Sequence, residues 1–147
     1  MKITQIREKD GVEALSVLDF NLLIEKIKTE IKTRPVTGLR QALHYVLPGE
    51  SCSFAGKLPK VIPAAVFGRV NGVKRMKVYN GIVELTVGPL AGKVEVEMVK
   101  KKAAELPQTM FAYMGSSGNS VKIWTLFTRP DGTLPQTQEE AEIFQAH

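Results

Sequence analysis

The apolar positions of this chain fall mostly into short alternating runs separated by glycine, proline and asparagine, with a few stretches of helical period between them. Alternation sends successive side chains to opposite faces of a strand, whereas a repeat of three to four lines one face of a helix. Residues 2–8, KITQIRE, read as a first strand, and Asp10-Gly11 as a turn. Ser16 or Asp19 is placed to cap a helix. Phe20, Leu23, Ile24, Ile27 and Ile31 recur at helical spacing, which predicts that helix over about 19–33. Arg34-Pro35 ends it, because a residue before proline disfavours helical backbone. A second helix over about 36–46 carries Leu39, Ala42, Leu43 and Val46 inward and stops at Pro48-Gly49.

After a loop over 48–60, Val61 to Val70 reads as a strand with Pro63 near its start, the place where a strand tolerates proline. Asn71-Gly72 is the strongest hairpin signal in the chain. Val78 to Val87 reads as the next strand, interrupted by glycine at Gly81. Residues 91–105 alternate at first, but Val96, Val99, Ala103 and Leu106 keep helical spacing and the lysine run 100–102 has little strand propensity, so a helix is expected. Thr109 to Met114 and Val121 to Thr128 are strands around a polar loop, the second apolar on both faces and hence central or covered. Thr137 or Gln138 opens a last helix that the chain leaves at His147. The expectation is an α+β fold: a single mixed or antiparallel sheet with helices mainly on one face. It occupies one domain, 1–147, read as the front part of a longer protein.

Composition narrows the function classes. One cysteine, Cys52, excludes an internal disulfide and a multi-cysteine metal site. Only Lys57 lies near it to make a thiolate, which favours an inert thiol over a nucleophile. The two histidines, His44 and His147, have no ligand spacing. No apolar run reaches the length of a membrane span, and the start has no signal-peptide core; a cytoplasmic protein without membrane partners is expected. The net charge of +5 is unevenly spread. Residues 57–129 hold 12 Lys/Arg against 4 Asp/Glu, while residues 130–147 hold none against 4. A basic middle attracts polyanions, and a solvated lysine-rich surface explains the same count.

Two clusters carry the candidate chemistry. Arg69, Lys74, Arg75 and Lys77 surround the Asn71-Gly72 turn, either as a nucleic-acid contact or as charge that guards an edge strand. The loop Gly115-Ser116-Ser117-Gly118-Asn119-Ser120, followed by Lys122, offers backbone amides, hydroxyls and a cation to a phosphate, or is an ordinary hairpin loop. Glu84 sits among apolar residues on its strand and is there paired, solvated or functional.

The run Phe111-Ala112-Tyr113-Met114-Gly115-Ser116-Ser117-Gly118-Asn119-Ser120-Val121-Lys122-Ile123 resembles the loop of the VirE-type N-terminal domain family of bacterial mobile elements, which is related to the primase-polymerase fold. Leu58-Pro59-Lys60-Val61, Phe67-Gly68-Arg69 and Leu39-Arg40 resemble further segments of that family. The resemblance implies a primase-like, RRM-like core and a site for nucleotide or single-stranded nucleic acid at Ser116, Ser117, Gly118, Asn119 and Lys122. It also implies a departure. Thr86 and Gly88 stand where the family carries two metal-binding aspartates, leaving Glu84 as a single carboxylate. The implied protein is therefore a non-catalytic binding module of a mobile-element replication protein, with no cofactor. The alternatives are a protein-interaction domain, or a Mg²⁺-dependent nucleotidyltransferase completed by residues beyond His147.

Overall fold

The computed structural model describes residues 1–29, 36 and 58–146. The helix expected over 36–46, apart from Val36, and Cys52 with the first part of its loop lie outside the described residues. The described residues form eight strands and three helices, in the order β1 (Lys2–Lys9), β2 (Val12–Asp19), α1 (Phe20–Lys28), β3 (Lys60–Ile62), β4 (Ala65–Val70), β5 (Val73–Tyr79), β6 (Ile82–Val87), α2 (Lys93–Ala104), β7 (Thr109–Met114), β8 (Val121–Leu126) and α3 (Gln138–Ala146). The α+β class and the antiparallel pairing hold. In place of the one sheet expected, the strands form three small ones: β2-β1-β3, β4-β5 and β6-β8-β7.

The difference arises at two places where the sequence reads as a continuous strand. The run 61–70 breaks after Ile62, because Pro63 cannot donate to a ladder. Its first piece pairs with β1 and its second with β5. The run 78–87 breaks at Asn80-Gly81, where Gly81 takes φ +69°, a conformation glycine adopts without strain. The chain there leaves the β4-β5 ribbon for the β6-β8-β7 sheet. Asn80 fastens this crossing. It is buried, its backbone N–H donates to the Ala64 carbonyl at 2.7 Å, and its side-chain amide donates to the carbonyls of Lys2 at 2.8 Å and Pro63 at 3.0 Å. One side chain thus ties β1, the β3-β4 connection and the β5-β6 crossing.

Strand β2 has no counterpart in the sequence reading. Six of its eight residues are exposed and only Leu18 is buried, so it lacks the apolar alternation that marks a strand. It pairs with β1 in full register from Lys2↔Asp19 to Lys9↔Val12, across the turn Asp10-Gly11. Asp19 then caps α1 by accepting the Asn21 N–H at 2.9 Å.

Three cores organise the packing. Ile3 and Leu18 from the first sheet meet Leu23 of α1 and Ile82 and Trp124 of the third sheet, with Phe20, Ile27, Val61, Phe111 and Tyr113 around them. The opposite face of the third sheet, Val121 and Ile123, is covered by Val96 and Ala103 of α2. Ala65 and Tyr79 of the ribbon pack on Ala141 of α3. Strand β8 is central, as its two apolar faces require.

The ribbon also stands against β1. The Thr4 hydroxyl donates to the Ala65 carbonyl at 2.9 Å and accepts the Phe67 N–H at 2.7 Å. These two backbone groups lie on the edge of β4 turned away from β5, so a fully buried threonine takes the place of a neighbouring strand.

Helix α3 begins with a reciprocal cap. The Thr137 hydroxyl accepts the Glu140 N–H at 3.2 Å, and the Glu140 carboxylate accepts the Gln136 N–H at 3.1 Å. Arg129 donates to the same carboxylate at 2.9 Å. The Gln136 N–H first, and Arg129 second, hold the Glu140 carboxyl below its ordinary value of 4.5. A lowered carboxyl stabilises the fold above its unfolded-state pKa and loses that contribution as pH falls through the folded one. Glu140→Gln is expected to melt below the parent at pH 7. The gap should close as pH drops below 4.5, read by thermal denaturation from neutral to acid pH. A gap that stays constant with pH would show that the charge contributes nothing.

Candidate functional site

The β7-β8 hairpin loop is built from its own hydrogen bonds. The Gly115 N–H donates to the Ser120 carbonyl at 2.9 Å and the Gly118 N–H to the Gly115 carbonyl at 3.0 Å, with Gly118 at φ +82°. Ser117 Oγ donates to Asn119 Oδ1, and the Asn119 carbonyl accepts the Leu90 N–H at 2.7 Å. The loop is thus folded on itself and held against the segment after β6. Gly88 lies under it, where an added Cβ would come within 2.9 Å of the Asn119 carbonyl oxygen. Ser116, Ser117 and Asn119 are exposed.

Lys122 points to the other partner of this corner. Its Nζ donates to Glu84 Oε1 at 2.7 Å, while Glu84 Oε2 accepts the Trp124 indole N–H at 2.8 Å. The register explains the contact: Glu84 lies opposite Trp124 and Thr86 opposite Lys122 on neighbouring antiparallel strands. Glu84 is therefore paired, one of the readings its sequence allowed. Thr86 and Gly88 add no carboxylate beside it. Among the described residues, no group of three or more His, Cys, Asp or Glu side chains converges to hold a metal ion.

Tyr113 belongs to the same face. Its ring lies 5.2 Å from Phe111 and 5.9 Å from Trp124, centroid to centroid. Burial first, and the Glu84 charge second, push its hydroxyl far above the ordinary phenol range. The face is thus an aromatic cluster with one ion pair at its margin, a support for the sheet.

Removing Glu84 tests that role. Glu84→Ala leaves the fully buried Trp124 indole N–H without its acceptor, and the expected loss is about 2 kcal/mol, the cost of one unsatisfied buried donor. Glu84→Gln keeps an acceptor and gives up a partly exposed ion pair, for an expected loss of about 1 kcal/mol or less. Urea unfolding compares the two. Equal losses would mean that the indole contact has no weight.

The four cations around the Asn71-Gly72 turn divide into two pairs. Arg69 is engaged with backbone, donating to the Gly72 carbonyl at 2.9 Å and the Glu13 carbonyl at 3.1 Å. Lys74 lies over the Phe67 ring at 5.1 Å. Both hold the ribbon together. Arg75 and Lys77 have no carboxylate partner among the described residues. The irregular register at Val66/Phe67 leaves Lys77 unpaired between Met76 and Val78. Its stem crosses Gly68, where an added Cβ would sit 3.2 Å from Lys77 Cε, and Arg75 is the cross-strand partner of that glycine. Two cations without acidic partners therefore flank Gly68 on the ribbon's outward face. Val70, Val73 and Val78, all exposed, frame them. Sequence spacing singles out the cations but misses these valines and Gly68; the signal is present in the alternation on either side of Asn71-Gly72.

The similarity of the 115–120 loop to the VirE-type family is overturned. The family model that matches the chain is that of the BT4734-like, N-terminal domain, over residues 53–147. The resemblance rested on glycine, serine and asparagine that the hairpin uses to close its own turn. The primase-like and mobile-element expectations attached to it fall with it. No curated protein and no solved structure matches the chain at a significant level. The matched range takes in β3 through α3 and leaves β1, β2 and α1 outside it. With well over half its length matched, the chain belongs to the family of the BT4734-like, N-terminal domain.

Proposed function

We propose that this domain is a non-catalytic nucleic-acid-binding module whose contact surface is the β4-β5 ribbon. The observation that carries the reading is its charge. From Ala65 to Tyr79 there are four cations and no carboxylate, and two of the cations, Arg75 and Lys77, have no acidic partner among the described residues. Phosphate contacts release condensed counterions, so exposed cations without acidic partners are what such binding needs. The 115–120 loop supports the reading less well. Two of its amides are used in its own turn, and Lys122 is neutralised by Glu84. The non-catalytic part rests on Glu84, whose two carboxylate oxygens are both engaged.

Fluorescence anisotropy with labelled oligonucleotides tests this. Affinity should fall about tenfold between about 50 and 200 mM salt. It should drop in Arg75→Ala/Lys77→Ala and stay unchanged in Lys122→Ala. Binding that ignores salt, or that survives the double substitution, would remove the ribbon from the reading and leave a protein contact on its valines as the explanation.

A further inference from the structure

The ribbon has a shape as well as a charge, and the shape selects among nucleic acids. Its strands pair from Ala65↔Tyr79 to Val70↔Val73 and close through Asn71-Gly72, both at positive φ. The two strands are about 4.8 Å apart and β1 stands at the β4 edge through Thr4, so it is the outward face that meets a groove: the B-form major groove, about 12 Å wide, admits a two-stranded ribbon, and the minor groove, about 6 Å wide, does not. Six residues advance about 20 Å, roughly half a turn of groove.

The two faces of the bar differ in kind. Its rings, Phe67 and Tyr79, are turned inward to the core shared with α3, and Lys74 covers Phe67. The outward face carries Arg75, Lys77, Val70, Val73 and Val78 around Gly68 and has no aromatic side chain. Single strands are held mainly by stacking bases on aromatic side chains. Duplexes are held by phosphate contacts from cations and read by polar and apolar contact with base edges, where a thymine methyl accepts an apolar side chain and a guanine edge accepts arginine. The outward face has the second set of groups and lacks the first. Gly68, with no side chain of its own, leaves room for the Lys77 stem to cross the ribbon.

From this we infer that the outward face of the β4-β5 ribbon seats in the major groove of a B-form DNA duplex, with Arg75 and Lys77 along its β5 side and the valines toward the bases. The inference rests on the nucleic-acid reading above and specifies its ligand.

The test uses the full chain, a fluorescent duplex of mixed sequence about two helical turns long, and each of its strands alone. The duplex should bind at least about tenfold more tightly than either strand, with a log–log salt slope near about −2 for two phosphate contacts. Arg75→Ala and Lys77→Ala should each reduce that slope by about 1. Both residues are surface cations, and circular dichroism confirms that the variants fold. Netropsin, which fills the minor groove, should leave the affinity unchanged. Single strands that bind as well as the duplex, or displacement by netropsin, would overturn the groove assignment while leaving the nucleic-acid reading in place. Salt-dependent binding to neither form would overturn both.

Discussion

Trp124→Ala is expected to cost about 4 kcal/mol, the largest loss of any single truncation in this fold. Trp124 is fully buried, on the central strand of the third sheet, and touches three other rings: Phe20 at 5.8 Å, Phe111 at 6.2 Å and Tyr113 at 5.9 Å between centroids. It joins the first sheet and α1 to the third sheet in one core. Alanine there removes the apolar surface and leaves a void that a β-sheet cannot collapse to fill. The loss is a large share of the roughly 5–15 kcal/mol that holds a typical domain. Trp124→Phe keeps a ring and gives up the hydrogen bond to Glu84, which retains Lys122, so about 1–2 kcal/mol is expected. Since this is the chain's single tryptophan, unfolding has to be followed by far-UV circular dichroism in urea. Two variants of equal stability would mean that the void, and hence the core, does not control the fold.

Asn80→Asp should destabilise by about 3 kcal/mol at pH 7, more than Asn80→Ala at about 2 kcal/mol. Both remove the two donors that hold the Lys2 and Pro63 carbonyls. The aspartate also sets a negative charge against two carbonyl oxygens in a buried site. Its pKa in the folded variant is raised above the unfolded value, since burial and the carbonyls both favour the proton. A raised pKa gives stability that is present below the unfolded pKa and lost as pH rises through the folded one. The aspartate variant should therefore recover toward the alanine variant at about pH 4, where a protonated carboxyl can donate to one carbonyl. Denaturant midpoints at the two pH values decide it. An Asn80→Asp protein as stable as its parent at pH 7 would mean that the crossing is held by the backbone alone.

Local signals account for much of this fold. Asn71-Gly72 closes a hairpin, Asp19 caps α1, the spacing of Val96, Val99 and Ala103 makes α2, and Thr137 opens α3. Each is decided within a few residues. The division into three sheets was not legible, because it depends on where the chain goes after Pro63 and Gly81. Periodicity is the same whether a strand continues or changes partner. Strand β2 was hidden for another reason: it is an edge strand with one buried residue. The site followed the same rule. Arg69, Lys74, Arg75 and Lys77 were visible as a cluster, but which of them are occupied depends on Glu13 and Phe67. Glu84 and Lys122 stand 38 residues apart, and only the pairing of β6 with β8 brings them to 2.7 Å.

A two-stranded ribbon has open strand edges, and open edges recruit other chains into extended aggregates. Thr4 bears on that hazard. By supplying a donor and an acceptor to Ala65 and Phe67, its hydroxyl fills two rungs that an incoming strand would otherwise occupy. Shielding on one side and presentation on the other are thus separated geometrically: the edge of β4 is sealed by β1, while the outward face stays clear. A single buried hydroxyl thus closes the β4 side of the ribbon to an added strand.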